Sequence, residues 1–242
     1  MNASHIDLPE DTVHIHRASF TALIPNLDLL KKLLSPEEIE RSEQYYFARH
    51  RDAYILGRGY LRTLLARYIG TDPCQIAFEY AAHGKPRLTP AQASIRFNVS
   101  HSGDLFLCAV SRNRELGIDC EALRENIELE SMADRYFSDY ETEILLGLPP
   151  HQRVRAFFTC WTRKEAYIKA HGDGLSMPLD TFSVTLAPEE PAALLTCDDP
   201  DQLDRWELHD LTVPEPYAAA LVTSGKRAQI TYIDEKAAPG MN

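Results

Sequence analysis

The chain has 242 residues, 44% hydrophobic and 25% charged, an ordinary globular composition with room for one large domain or two small ones. Its formal charge of −11, from 36 acidic against 25 basic residues, excludes non-specific binding to nucleic acid, which needs a basic face to release counterions. A phosphate ligand then requires a local cluster of cations working against the global field.

In chain order, Val13, Ile15 and Ala18 in VHIHRASF predict a short first strand with His14 and His16 on a solvated face. An HxH pair suits a metal, but no third ligand lies nearby in sequence. Ser35-Pro36-Glu37-Glu38 starts a helix, with Ser at N-cap, Pro at N1 and a glutamate completing a capping box. A longer helix is predicted from about Phe47 to Ile69, stopped by Gly70 and carrying Arg49, Arg51, Arg58, Arg62 and Arg67. IAFEY reads as a strand and His83-Gly84-Lys85-Pro86 as a turn bearing one cation. Ile95–Val99 reads as a strand, Ser100–Asp104 as a polar loop, LFLCAV as a buried strand and Leu116–Glu121 as another short strand.

Ser138-Asp139-Tyr140-Glu141 repeats the capping box 103 residues after the first, and a second long helix around Phe157–Ala170 follows at the same offset. Each half thus offers a capped helix, a long helix and then strands, the pattern of two related halves, and the shift sets Arg62 against Glu165. Gly172 and Gly174 stop the second helix, and TFSVTL is a strand. Residues 188–201 form a surface loop rich in proline and acid, and RWELHDL, YAAALVT and AQITYI close the chain as strands. Helices mix with antiparallel-looking strands without a βαβ rhythm, so the class is α+β, divided into halves 1–116 and 117–242. There is no GxGxxG and no GxxxxGK[ST], hence no dinucleotide or P-loop site.

The five cysteines are scattered without a CxxC pair, so a reducing cytoplasm is expected rather than a disulfide framework. MNASHIDLPEDTVHIH has neither the basic nor the apolar region of a secretory leader, and no apolar run approaches the roughly 18 residues of a membrane span.

Phe157, Phe158, Trp161, Glu165 and Ile168 share one side of the second long helix, which puts a carboxylate inside an apolar stripe with Lys164 and Lys169 on its edges. An ionised carboxylate there is costly unless a cationic side chain or a metal ion holds it. The plain alternative is a Glu165–Lys169 pair on a surface helix. Asp119 and Glu121, two apart on a strand, project from one face. Joined to Glu165 they make an all-oxygen set that suits Mg²⁺; zinc would find only His101 and Cys120 close by in sequence. Asn98 to Gly103 offers two hydroxyls and an imidazole, either as turn caps or as a phosphate-contacting loop.

GKP at 84–86, FNVSHS at 97–102, GIDCE at 117–121 and WTRKEAYIK at 161–169 occur in that order, and GLSMPLDTFSV follows. Together they resemble the signature set of surfactin-type 4'-phosphopantetheinyl transferases, over roughly 35–184. The resemblance implies a monomeric pseudodimer of two similar α+β halves that moves phosphopantetheine from coenzyme A to a serine of an apo acyl or peptidyl carrier protein. Coenzyme A and Mg²⁺, or Mn²⁺ in its place, would lie between the halves, with no part for nucleic acid or membrane. It further implies Asp119, Glu121 and Glu165 at the metal, Lys85, Ser100 and His101 at the nucleotide phosphates, and Lys164 and Lys169 at the pyrophosphate. Arg49 and Arg58, with Arg51 in reserve, would serve the 3'-phosphate. Glu165 would accept the serine proton and Lys169 would stabilise the departing 3',5'-ADP. Because carrier proteins are usually acidic too, docking is expected through an apolar patch near the second half's helices. The rivals are a Mg²⁺-dependent nucleotide phosphodiesterase or pyrophosphatase and a non-catalytic coenzyme A-binding protein.

Overall fold

Two long helices organise the structure, a computed structural model that describes residues 5–80, 84–92, 94–172 and 177–234. The first half runs β1 (Thr12–Ser19), α1 (Phe20–Leu23), α2 (Leu27–Lys31), α3 (Pro36–Glu43), α4 (Ala48–Ile69), β2 (Phe78–Tyr80), β3 (Pro86–Leu88), β4 (Ile95–Ser102) and β5 (Leu105–Arg112). The second runs β6 (Leu116–Ala122), α5 (Leu129–Tyr136), α6 (Asp139–Gly147), α7 (Pro150–His171), β7 (Ser183–Val184), β8 (Leu194–Thr196), α8 (Asp201–Arg205), β9 (Trp206–Asp210), β10 (Tyr217–Ser224) and β11 (Gln229–Asp234). One sheet has the order β11-β1-β5-β4 and the other β6-β10-β9, with two small ladders, β2-β3 and β7-β8.

Alternation along the strands builds the layers. On β5, Phe106, Cys108 and Val110 join a core with Leu56, Tyr60 and Leu64 of α4. Leu105, Leu107 and Ala109 turn to the opposite face and meet Ile118, Cys120, Ala219 and Leu221 of the second sheet. On β10, Ala218, Ala220 and Val222 face Ala166, Tyr167 and Ala170 of α7. The order of layers is therefore helix, sheet, sheet, helix, an α+β arrangement with one core between the sheets and one under each long helix.

Both capping boxes form, and their glutamates do more than cap. Glu38 and Glu141 are buried, and each meets a cation of its long helix: Arg62 Nε lies 2.8 Å from Glu38 and Lys164 Nζ 2.7 Å from Glu141. Because α4 and α7 begin 102 residues apart, at Ala48 and Pro150, the repeat sets Arg62 against Lys164 rather than Glu165.

Four other expectations change. β4 continues to Ser102, so the loop expected over Ser100–Asp104 shrinks to the tight turn at Gly103 and Asp104. TFSVTL keeps only β7, and the 188–201 segment contains β8. The final strand does not stay with the second half: β11 pairs parallel with β1 and completes the first sheet. Among the described residues, exposed large apolar side chains are Ile24, Leu29, Tyr45, Tyr46, Phe47 and Tyr80 in the first half and Tyr140 alone on the second half's helices, and these show no broad apolar patch on the expected docking face. His83 of the cationic turn and Gly174 lie outside the described residues. Among the described residues no helix is long and apolar enough to cross a membrane.

The HxH pair is not solvated. His14 Nδ1 and His16 Nε2 are both 2.7 Å from the Tyr68 hydroxyl, and both imidazoles are buried. Burial, then the neighbouring His14 and Arg67, lower the His16 pKa to about 3. The unfolded chain therefore binds a proton here below about pH 6.5 that the fold refuses, so stability is lost as pH falls from 6.5 toward 3. At pH 5 the loss should be about 2 kcal/mol relative to pH 7. His16→Gln should flatten that part of the stability profile in urea titrations, and an unchanged slope would remove His16 as its source.

Candidate active site

Gly117, Asp119 and Glu121 share one face of β6, and α7 packs on that face. A Cβ on Gly117 would come within 2.1 Å of the Ala166 carbonyl oxygen and 2.3 Å of the Ala170 nitrogen. The helix backbone thus lies directly on the strand, and only glycine permits it. The consequence lies one and two steps further along the same face, where Asp119 and Glu121 come up beside Glu165 and Lys169. Gly117→Ala must push α7 away. We expect activity at this site to fall by about 100-fold, the usual cost of ångström misplacement, with overpacking costing about 1–3 kcal/mol. Parental activity and urea midpoint in that variant would show that the close contact is dispensable.

β4 holds the other side of β6 through side chains instead of a backbone ladder. Asn98 Oδ1 accepts from the Ile118 N–H at 2.8 Å, Ser100 Oγ from Cys120 at 3.3 Å and Ser102 Oγ from Ala122 at 3.0 Å. The same hydroxyls donate to the carboxylates, Ser100 to Asp119 at 2.9 Å and Ser102 to Glu121 at 2.8 Å. Each serine therefore satisfies an edge amide and aims one acid. Lys169 Nζ also donates to Ser100 at 3.2 Å. One donor and two acceptor positions exhaust a hydroxyl. Ser100 is accordingly a positioning group in this arrangement, not the free phosphate contact expected.

Lys169 Nζ pairs with Asp119 at 2.6 Å and donates to the Ile118 carbonyl at 3.2 Å. It does not form the surface pair with Glu165. Among the described residues Glu165 makes no hydrogen bond or ion pair of its own. Its pKa is raised, first by burial and then by the Asp119 charge, with Lys169 opposing and Glu121 adding. The Glu121 pKa is also raised by burial, against the hydrogen bond from Ser102. Asp119 Oδ2 is buried without a hydrogen-bond partner. An orphaned carboxylate oxygen beside two acids of raised pKa is a hard-oxygen donor set that fits a divalent cation of the Mg²⁺ type. The three acids are not gathered into a cage, since no group of three metal-ligating side chains encloses an ion position among the described residues. An open site completed by water and substrate oxygens is what they can offer.

Lys85 borders this cluster. Its Nζ donates to the Leu116 carbonyl at 3.0 Å and the Lys169 carbonyl at 2.5 Å, tying the turn before β3 to β6 and to the end of α7. Burial brings its pKa down to about 8. His101 lies edge-on to Phe20, with ring centroids 5.5 Å apart; its protein surroundings and then Lys169 lower its pKa, so it is neutral at pH 7.

Other expected members stand apart. Lys164 has no exposed surface, pairs with Glu141, donates to the Phe182 carbonyl at 2.5 Å and sits 4.3 Å from the Phe182 ring centroid. It cannot reach a pyrophosphate beside Glu165 because it points into the core. Arg58 is largely buried over the Phe78 ring, 3.6 Å from the Glu38 carboxylate that Arg62 holds more tightly, and its Nη1 has no hydrogen-bond partner. Arg49 is exposed on α4 beside Phe47 and His50, and Arg51 is exposed beside Asp52. Asn98 and Ser102 are expected only as parts of a polar turn or phosphate loop, and Glu141 only as a helix cap, so the roles that the structure gives them were missed. The first two were legible, because Asn98, Ser100 and Ser102 alternate in FNVSHS and so share one strand face. A cavity of about 710 Å³ along the N-terminal part of α7, near His151 and Arg155, contains none of the carboxylates.

Comparison with known proteins places the whole chain. The model of the 4'-phosphopantetheinyl transferase superfamily matches residues 115–222, and that of the N-terminal part of 4'-phosphopantetheinyl transferases matches residues 20–113. The chain is 40% identical over 223 residues to the 4'-phosphopantetheinyl transferase HetI of a Nostoc species, covering 91% of each chain. It is 36% identical over 159 residues to a 4'-phosphopantetheinyl transferase of Bacillus subtilis, covering 66% of this chain and 69% of that one. Sfp of Bacillus subtilis strain 168 is 36% identical over 153 residues, 63% of this chain and 66% of its own.

Proposed function

The chain belongs to the 4'-phosphopantetheinyl transferase family, and on that premise we propose a division of labour among its own residues in moving phosphopantetheine from coenzyme A to a carrier serine. The observation that carries the reading is Glu165: a half-buried, unpaired carboxylate beside the Lys169–Asp119 pair and the orphaned Asp119 oxygen. Burial and neighbouring negative charge make Glu165 a better base than an ordinary surface acid, and it accepts the serine proton. Lys169, whose three N–H donors are taken by Asp119, Ser100 and the Ile118 carbonyl, acts on the leaving 3',5'-ADP as a fixed positive charge and stabilises its new charge through space. Asp119, Glu121 and Glu165 would hold Mg²⁺, or Mn²⁺ in its place. The ion, when bound, supplies positive charge to the pyrophosphate oxygens. Lys85 and His101 contact the coenzyme phosphates, and Arg49, exposed on α4, meets the 3'-phosphate together with Arg58, whose Nη1 has no hydrogen-bond partner. Ser100 and Ser102 keep the acids aimed. The acceptor is an acyl or peptidyl carrier protein, and the enzyme works as a cytoplasmic monomer.

Intact-mass analysis of an apo carrier protein incubated with enzyme, coenzyme A and Mg²⁺ tests this. A phosphopantetheine mass gain supports transfer. Breakdown of coenzyme A with an unmodified carrier would make the protein a hydrolase, and no change at all would leave a binding protein.

A further inference from the structure

A second concentration of positive charge lies at the opening residues of β4 and β6, about 10 Å along the strand from Asp119 at roughly 3.3 Å per residue. There a groove of about 360 Å³ is lined by Lys85, Arg87, Arg96 and Arg205, with Glu115 the one acidic side chain among the described residues that line it, and His171 and Gly172 also on its wall. Among the described residues, four cations against one carboxylate is unexpected on a chain of net charge −11. Converging positive charge of this kind focuses a field that attracts anions.

The local pairings leave that charge unanswered. The Arg96–Glu115 contact is long, 3.4 Å, and both side chains are more than one third exposed, so it neutralises little. Arg96 Nε is buried and has no hydrogen-bond partner. The Arg205 guanidinium is held 4.8 Å from the Trp206 ring centroid, which orients it without cancelling its charge. Arg87 is exposed and, among the described residues, has no ion-pair partner. Guanidinium forks match the oxygens of a tetrahedral phosphoryl group, and the volume accommodates one small molecule.

We propose that this groove is an anion site distinct from the carboxylate cluster, binding the phosphoryl group of a small molecule through Arg96, Arg205 and Arg87. Occupancy is communicated to the catalytic end through Lys85, whose Nζ both borders the groove and holds the Lys169 carbonyl. A phosphoryl group that draws Lys85 toward itself loosens the last turn of α7, so a bound anion lowers the transfer rate.

The phosphoryl group has two sources, a free inorganic anion or the nucleotide product itself, and the test separates them. Inorganic pyrophosphate is titrated calorimetrically into metal-free enzyme, without coenzyme or carrier, so the result does not depend on the proposed transfer reaction. The parent should bind it, and Arg96→Ala with Arg205→Ala should weaken binding at least tenfold while the basal transfer rate stays within twofold. Arg96→Lys with Arg205→Lys, which keeps the charge, should retain most of the binding and guards against a folding defect. Titration with 3',5'-ADP forms the second arm and rests on the transferase reading. Equal weakening of 3',5'-ADP, with a matching rise in KM for coenzyme A, would assign the groove to the nucleotide's own phosphate. Weakening of pyrophosphate alone would assign it to a free anion. Unchanged affinity for both ligands in the alanine variant overturns the proposal.

Discussion

Glu165→Gln should lose transfer activity by about 1000-fold, in the range expected for a removed general base, while melting at or above the temperature of the parent. The two halves of that expectation have one cause. The parent carboxylate is half-buried with Asp119 and Glu121 nearby and no ion pair of its own, so its ionised form is held at a cost and its pKa is raised. An acid whose folded pKa lies above its unfolded value destabilises the fold at neutral pH, and the deficit disappears as pH falls and the group protonates. Glutamine keeps the shape, removes the charge and so removes that deficit. It also cannot accept the serine proton and is a poor ligand for a hard cation. The variant should therefore be a better-folded, inactive protein, readable by differential scanning calorimetry beside the carrier mass assay. A fully active Glu165→Gln would sink the assignment, and an inactive variant that melts several degrees lower would make Glu165 a structural residue.

How far the molecule could be read from its sequence follows from the range of each interaction. Both capping boxes were legible because a cap is settled within four residues, and the 22-residue helices that follow carry their own apolar periodicity. The pairing of Asp119 with Glu121 was legible for the same reason, a strand period of two. Lys164 was misjudged because neighbouring helix positions are about 100° apart, and helical spacing alone cannot tell which flank of Glu165 is covered. That depended on Glu141, 23 positions upstream, folding back onto α7. The solvated reading of His14 and His16 failed similarly, since Tyr68 reaches them from the far end of α4. The crossing of β11 to β1 bridges more than 200 positions, and no local pattern in AQITYI announces it. Ser100 shows the subtler failure: its contacts depend on β6, whose edge amide and acid claim its hydroxyl.

The larger stability effect is expected at Lys164. Lys164→Met leaves the Glu141 carboxylate fully buried without its cation, and breaking a buried pair from one side costs about 3–5 kcal/mol. Glu141 cannot escape by turning outward, because its oxygens also accept from the Ser138 N–H at 2.8 Å and the Val184 N–H at 2.8 Å. Adding Glu141→Gln removes the stranded charge while leaving an acceptor for the cap, so the double variant should recover part of the loss in urea titrations. That non-additivity is the signature of a pair. The kinetic readout then separates two roles. A lysine touching the pyrophosphate would, when removed, raise KM for coenzyme A and leave the urea midpoint alone. A lysine that braces α7 lowers the midpoint, and in the folded fraction of the double variant KM for coenzyme A should stay within about twofold, because no ligand contact has been lost. Glu165 is the next residue on that helix, so whatever change in kcat accompanies the double variant reports how tightly the brace sets the direction of the base.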